Sequence, residues 1–299
     1  MESKISMFFC KILLFVIPVL VFFEVLFRLG FYPIITDSTL FDLKMIQIQK
    51  HHIKNVKLLS IGSSITLNEL KSELIVQNVS ASYYNFASWG LQISDIRRLL
   101  NSYVKKYHPK YVVICSSVRD FTIPANNSYL HYLNTSNLVK DNFPEFFYFN
   151  DYHSIHQIIY RKFTQYPLKF DAWGVASLIT KPNTKQPPNH DVFPTQYTPG
   201  AYKELDTLSA CLKKQGIKLI FIQAPIKIAY AGTDTLKKRI GFHFDKCKAI
   251  VEAQGGTYLN YYNTSIYPDS LFVDNYHLTD AGAIILTKQI INDLKKIVH

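Results

Sequence analysis

The sequence predicts an α/β protein: a three-layer α/β/α sandwich on a mainly parallel sheet, preceded by an N-terminal membrane helix and interrupted by an inserted, lid-like segment. Three observations point there. Short apolar runs alternate with stretches of helical periodicity along the 299-residue chain, the pattern of strands joined by crossover helices. Runs such as "YVVIC" are apolar at successive positions rather than at every second one, as strands buried on both faces are. The opening residues hold an apolar stretch of about 20, the length of one membrane span.

That stretch is "MFFCKILLFVIPVLVFFEVLFRLG", Met7 to Gly30, with no charged side chain between Ile12 and Phe23. Lys11 and Glu24 stand near its ends, where long side chains reach the interface. The residues after it, "FRLGFYP", are too bulky for a signal-peptidase site, so an uncleaved signal anchor is expected over 1–30. Lys4 and Lys11 favour the N-terminus inside, against the weaker opposing bias of Arg28. The expectation is a single-pass membrane protein with the body of the chain outside the cytoplasm, on the periplasmic or extracellular face.

Residues 31–55 read as a juxtamembrane linker with a short helix in "FDLKMIQIQKHHIK", and 56–299 as the α/β domain. Its first strand is "VKLLSIG" (Val56–Gly62), and its second is "YYNFA" (Tyr83–Ala87). Leu91–Tyr107 is helical, with Ile93, Ile96, Leu99, Leu100, Tyr103 and Val104 on one face, and Pro109 stops it. A third strand opens at Tyr111. A helix over Ala201–Gln215 ends at Gly216, and the strand "IKLIFIQAP" follows. A helix over Asp234–Gln254, the strand "TYLNYY" and a final helix from Thr279 complete the chain. The interval at about 121–200 breaks the alternation. It reads as an insertion of one or two helices and a long Pro- and Asn-rich loop, and loops of that length inside a compact domain commonly serve as lids or grooves.

The net charge of +11 reads either as general solubility or as attraction to an anionic envelope polymer or a lipid surface. The Lys and Arg residues form no dense block and no nucleic-acid motif, so nucleic acid is not an expected partner. Four cysteines lack the short pair spacings of zinc or redox sites, although a Cys211–Cys247 disulfide is open to the sequence. His51 and His52 are adjacent and point in different directions on a helix or strand, so they read as solvated surface, and His153 and His156 lack the further ligands a metal would need. No metal, nucleotide, flavin or other cofactor is expected.

Three segments carry chemistry. "IGSSI" places Ser64 after the first strand, where a serine is either a helix cap or a nucleophile. "LFVDNYHLTDAGA" places Asp274 three residues before His277, the spacing at which one turn supplies both a base and the acceptor that fixes its tautomer. "NFASWG" ends on Gly90, whose N–H, with that of Ser64, can serve an oxyanion.

In order and spacing these segments resemble the SGNH (GDSL-type) hydrolase family, from Val56 to the C-terminus without the insertion. Gly62-Ser63-Ser64 stands where that family has Gly-Asp-Ser, with Ser64 as nucleophile. Asn85 and Gly90 match its second block, in which the glycine serves the oxyanion hole. Asp274 and His277 match its Asp-x-x-His. The family's Gly-x-Asn-Asp departs here to "SSVRD": Arg119 replaces the asparagine donor, beside Asp120. Arg119 can donate to an oxyanion, bind an anionic group or pair with Asp120. A membrane anchor before such a body looks like the envelope proteins that work beside multispan membrane O-acyltransferases. The resemblance implies a Ser64–His277–Asp274 enzyme that moves an acyl group, acetyl first, onto or off a cell-envelope glycan. Two alternatives stay open: a carbohydrate or lipid O-acyl esterase, and a noncatalytic glycan-binding or scaffold module.

Overall fold

The computed structural model describes residues 2–121, 128–135, 143–149, 154–164, 169–177, 199–227, 233–262 and 266–298. The Pro- and Asn-rich run at 178–198, and His153, lie outside them. In chain order the elements are α1 (Glu2–Arg28), α2 (Thr39–Lys50), β1 (Leu58–Ser60), α3 (Ser64–Glu69), α4 (Ser72–Asn78), β2 (Tyr83–Asn85), α5 (Ile93–Tyr107) and β3 (Tyr111–Ser116). After a 3-10 turn at Val118–Phe121 come α6 (Ser128–Asn134), a second 3-10 turn at Pro144–Phe149, and α7 (Ile155–Phe163). The chain ends with α8 (Pro199–Lys214), β4 (Lys218–Gln223), α9 (Asp234–Ala253), β5 (Thr257–Asn260) and α10 (Asp280–Ile297).

Contacts divide the chain into two compact units, 1–49 with 128–166 and 50–127 with 167–299. The linker's helix and much of the insertion belong to one unit with the N-terminal helix.

In that first unit, Lys4–Arg28 is, among the described residues, the one helix long and apolar enough to cross a membrane. Most of its large side chains between Ile5 and Val25 are exposed, whereas Phe23 and Leu26 are half-buried and Phe27 is buried. Helix α2 buries Leu40, Phe41, Met45, Ile46 and Ile48. Phe41 meets the rings of Tyr129 and Tyr132 at 4.7 and 5.4 Å. Asp42, 2% exposed, accepts from the N–H groups of Ile35 and Thr36 and from the Thr36 hydroxyl. It also pairs with Arg161 at 2.6 Å. A carboxylate this buried persists because every approach to it is a donor. Burial still holds its pKa above the ordinary range, against those donors and Arg161.

The second unit is built on a five-stranded, wholly parallel sheet in the order β2-β1-β3-β4-β5. The parallel α/β expectation holds. The strands at the middle of the sheet are apolar throughout because both faces are covered: Val112, Val113, Ile114 and Cys115 of β3, and Ile220, Phe221 and Ile222 of β4, are all buried. Strand β1 is shorter than the expected Val56–Gly62. The order reverses between β1 and β3, and in open parallel sheets the crevice outside the strand ends at such a reversal collects ligands. Ser64 follows β1 and Arg119 follows β3, so both lie at that place. The outer edge of β2 is covered by the turn 170–176, in which Trp173 O accepts from Asn85 N at 2.9 Å. Gly174 allows this approach, since a Cβ there would stand 2.3 Å from Asn85 O.

Candidate active site

The loop that carries Ser64 is fixed before that residue is reached. Ser63 caps α3, its hydroxyl accepting from Ile65 N at 3.3 Å. One turn on, the Thr66 hydroxyl donates to Cys115 O at 2.6 Å and accepts from Cys115 N at 3.0 Å, latching α3 to β3. A Cβ on Gly62 would lie 2.0 Å from Thr66 Oγ1, so glycine is required where β1 gives way to α3. Ser64, the first residue of the helix, is half-buried.

The partner loop closes on itself. Phe272 and Leu278 bridge antiparallel, and Val273 N donates to His277 O at 2.8 Å. Asp274 sits at the start of the tip, where its Oδ1 accepts from the N–H groups of Tyr276 and His277, each at 2.8 Å. Its Oδ2 faces His277 Nδ1 at 2.7 Å. His277 Nε2 then reaches Ser64 Oγ at 2.7 Å, across 213 residues of sequence. Burial alone would push the Asp274 carboxyl up, but His277 and the two backbone donors outweigh it and hold it below its ordinary value. An ionised Asp274 can keep the proton on Nδ1 and leave Nε2 free to accept from Ser64.

The remaining residues singled out in the sequence are placed as follows. Gly90 is exposed in the turn beyond β2 at φ +75°, a left-handed conformation suited to glycine. The chain entering that turn is tied to the loop before Ser64, because Ser88 N donates to Gly62 O at 3.1 Å. Asn85 is fully buried. Its Nδ2 donates to Thr66 O and its Oδ1 accepts from Ala87 N, both at 2.9 Å, so it braces α3 against β2. Arg119 is half-buried, with its guanidinium carbon 5.7 Å from the ring centre of Tyr276, the residue before His277. Asp120 turns inward and accepts from Ser116 Oγ at 2.8 Å and Ser117 N at 3.2 Å. Burial pushes its carboxyl up to about 6, against hydrogen bonds from Ser116, Ser63 and Ser117 N and the attraction of His277.

One residue beside the site was not anticipated from the sequence. Glu69, the last residue of α3, is fully buried, and its Oε1 accepts from Leu278 N at 3.2 Å, directly after His277. Burial drives its carboxyl well above the ordinary range, and the nearby Asp274 and Asp120 push the same way. The sequence carries no signal for it, because in "LNELKSELIV" Glu69 stands among polar residues and a second glutamate. Cys211 and Cys247 are free thiols, so the disulfide open to the sequence is not formed. Among the described residues no group of three or more His, Cys, Asp or Glu side chains is placed to hold a metal ion.

No protein-family model matches the chain, and no curated protein matches it by sequence. Solved structures do. A catalytic variant of an acetylxylan esterase from Geobacillus stearothermophilus is 14% identical over 81% of this chain and 94% of its own, with a TM-score of 0.48. An α/β hydrolase from the metagenome of Lake Arreo is 12% identical over 82% and 97%, with a TM-score of 0.47. A GDSL-like lipase from Bacteroides thetaiotaomicron is 11% identical over 81% and 89%, with a TM-score of 0.45.

Proposed function

We propose that this chain is an SGNH-type serine acyl-transfer enzyme, anchored in the membrane, that acts on O-acyl groups, acetyl first, of a cell-envelope polysaccharide. The observation that carries the reading is the chain of contacts from Asp274 Oδ2 through His277 to Ser64 Oγ, each step 2.7 Å. His277 Nε2 takes the proton from Ser64 as Oγ attacks the ester carbonyl. The N–H groups of Ser64 and Gly90 hold the oxyanion, with Arg119 as a third donor in place of the family's asparagine. His277 then gives the proton to the departing alcohol, leaving an acyl-Ser64. In the second half, water or a glycan hydroxyl gives its proton to His277 and takes the acyl group. Asn85 and Asp120 position the elements around Ser64.

The apolar helix Lys4–Arg28 supports the anchored reading, with the catalytic unit outside the cytoplasm and a multispan O-acyltransferase as the membrane partner that supplies acyl groups. Hydrolysis and transfer share the acyl-enzyme and differ in the acceptor. A fluorophosphonate probe tests the first half: labelling of the wild-type chain and none of Ser64→Ala is expected, and no labelling of the folded wild type would favour the noncatalytic module. Supplying 4-nitrophenyl acetate with and without an envelope polysaccharide tests the second half. Acetylated polysaccharide supports transfer, and free acetate alone supports the esterase.

A further inference from the structure

We infer that Phe143–Phe149 and α7 form an aromatic collar that lies in the membrane–water interface around the exit of the N-terminal helix. The inference rests on the reading of that helix as a membrane anchor. Three observations within the first unit carry it. First, the collar is attached to the apolar helix itself. The ring of Phe23 stacks on Tyr148 at 5.0 Å and meets Phe149 edge-on at 4.9 Å. The Tyr148 hydroxyl donates to Phe31 O, and Phe31 meets Phe163 at 6.3 Å. Phe23 lies five residues before Arg28, about 7.5 Å down the helix axis at 1.5 Å per residue. If the helix spans a bilayer, rings packed on Phe23 stand at the depth of the headgroup boundary.

Second, α7 is amphipathic in an inverted sense. Its inward side is held by buried Ile158 and by the Arg161–Asp42 pair. Ile155, Ile159 and Phe163, at successive i, i+4 positions, form a stripe that is 60, 46 and 72% exposed, and Tyr160 beside it is 63% exposed. In water this face gains nothing from folding, whereas at an interface it is the face that enters the acyl boundary. Third, the chemistry is that of an interface. Phe, Tyr and Ile are mixed with Lys162, whose ammonium lies 5.7 Å from the Phe31 ring centre. Arg28 and Glu24 pair at 2.6 Å at the helix exit. Aromatic rings and basic side chains that reach toward headgroups are the common anchors at this depth. The occupant of the stripe is therefore lipid.

The test uses the full chain with Cys10 and Cys211 changed to Ala, reconstituted in phosphatidylcholine–phosphatidylglycerol vesicles. An environment-sensitive fluorophore is placed singly through Phe15→Cys, Ile155→Cys, Ile159→Cys or Gln157→Cys. Quenching by lipids spin-labelled deep or shallow in the acyl chain is then measured. The expected result is deep quenching at 15, and shallow quenching at 155 and 159 that exceeds the quenching at 157 several-fold. Quenching at 15 with water-like emission at 155 and 159 would overturn the collar and leave the anchor standing. Apolar emission at 155 and 159 without lipid quenching would also overturn it, because a second copy of the chain would then cover the stripe. Absence of quenching at 15 would remove the anchor, and the collar with it.

Discussion

Replacing Asp274 by Asn separates the base's orientation from the integrity of its loop. Asp274 Oδ1 accepts two backbone N–H groups at 2.8 Å, and Oδ2 faces His277 Nδ1 at 2.7 Å. In Asp274→Asn the amide oxygen can keep the backbone pair, which puts its NH2 group against Nδ1. His277 must then carry its proton on Nε2, pointing at Ser64 Oγ, and cannot act as a base. The opposite amide orientation sets two donors against two donors and is worse. A catalytic loss of about 10⁴-fold in kcat is expected, the scale seen when a triad carboxylate becomes an amide elsewhere. That corresponds to about 5.5 kcal/mol of transition-state stabilisation at about 1.4 kcal/mol per tenfold. The folded state loses at most one hydrogen bond, on the order of 1 kcal/mol, so thermal unfolding should shift by only a few degrees. Steady-state hydrolysis of 4-nitrophenyl acetate gives the first number and calorimetry the second. The rate of fluorophosphonate labelling should fall with kcat. A variant that is folded and retains kcat within tenfold of wild type would refute the assigned roles of Asp274 and His277.

Other perturbations follow from neighbouring residues. Gly62→Ala sets a Cβ 2.0 Å from Thr66 Oγ1, so the turn that carries Ser64 must move. Loss of both activity and melting temperature is expected in parallel assays. Glu69→Gln keeps an acceptor for Leu278 N and should retain activity, whereas Glu69→Leu leaves that buried N–H unpaired, at about 1–3 kcal/mol in urea unfolding. Asp120 has a folded-state pKa of about 6 against an ordinary 3.8. The folded state therefore binds a proton more tightly than the unfolded one. The resulting stabilisation is full below the ordinary value and is lost as pH rises through 6. Melting curves should show the wild type losing stability relative to Asp120→Asn between pH 4 and 6, and a flat difference would exclude this titration.

The sheet was legible because burial on both faces leaves continuous apolar runs, as in β3 and β4. The contact between Asp274 and His277 was legible because the two are local, and a turn brings i and i+3 together. Helices α3 and α4 were harder, since six and seven residues are too few to establish a period. The strand β1 was over-extended because Ile61 and Gly62 are buried in the loop beyond it as deeply as strand residues are. Glu69 was missed because its environment comes from Leu278, 209 residues away. The grouping of α6 and α7 with the N-terminal helix was invisible for the same reason. It depends on pairs such as Asp42–Arg161, and no local pattern announces them. The bracing by Asn85 was likewise hidden, because its partners Thr66 O and Ala87 N are backbone groups placed only by the fold.

The first unit is assembled from two pieces of chain that the body interrupts. Arg161 reaches Asp42 across 119 residues, and Tyr148 reaches Phe31 across 117. During synthesis the leading helices therefore leave the ribosome long before their packing partners, and β1, β2 and β3 emerge in between. Domains generally fold as they are made, but this one must wait while the body begins. A nascent chain halted after β3 would hold Asp42 by Ile35 and Thr36 alone, without Arg161, and would leave Phe41 without the rings of Tyr129 and Tyr132.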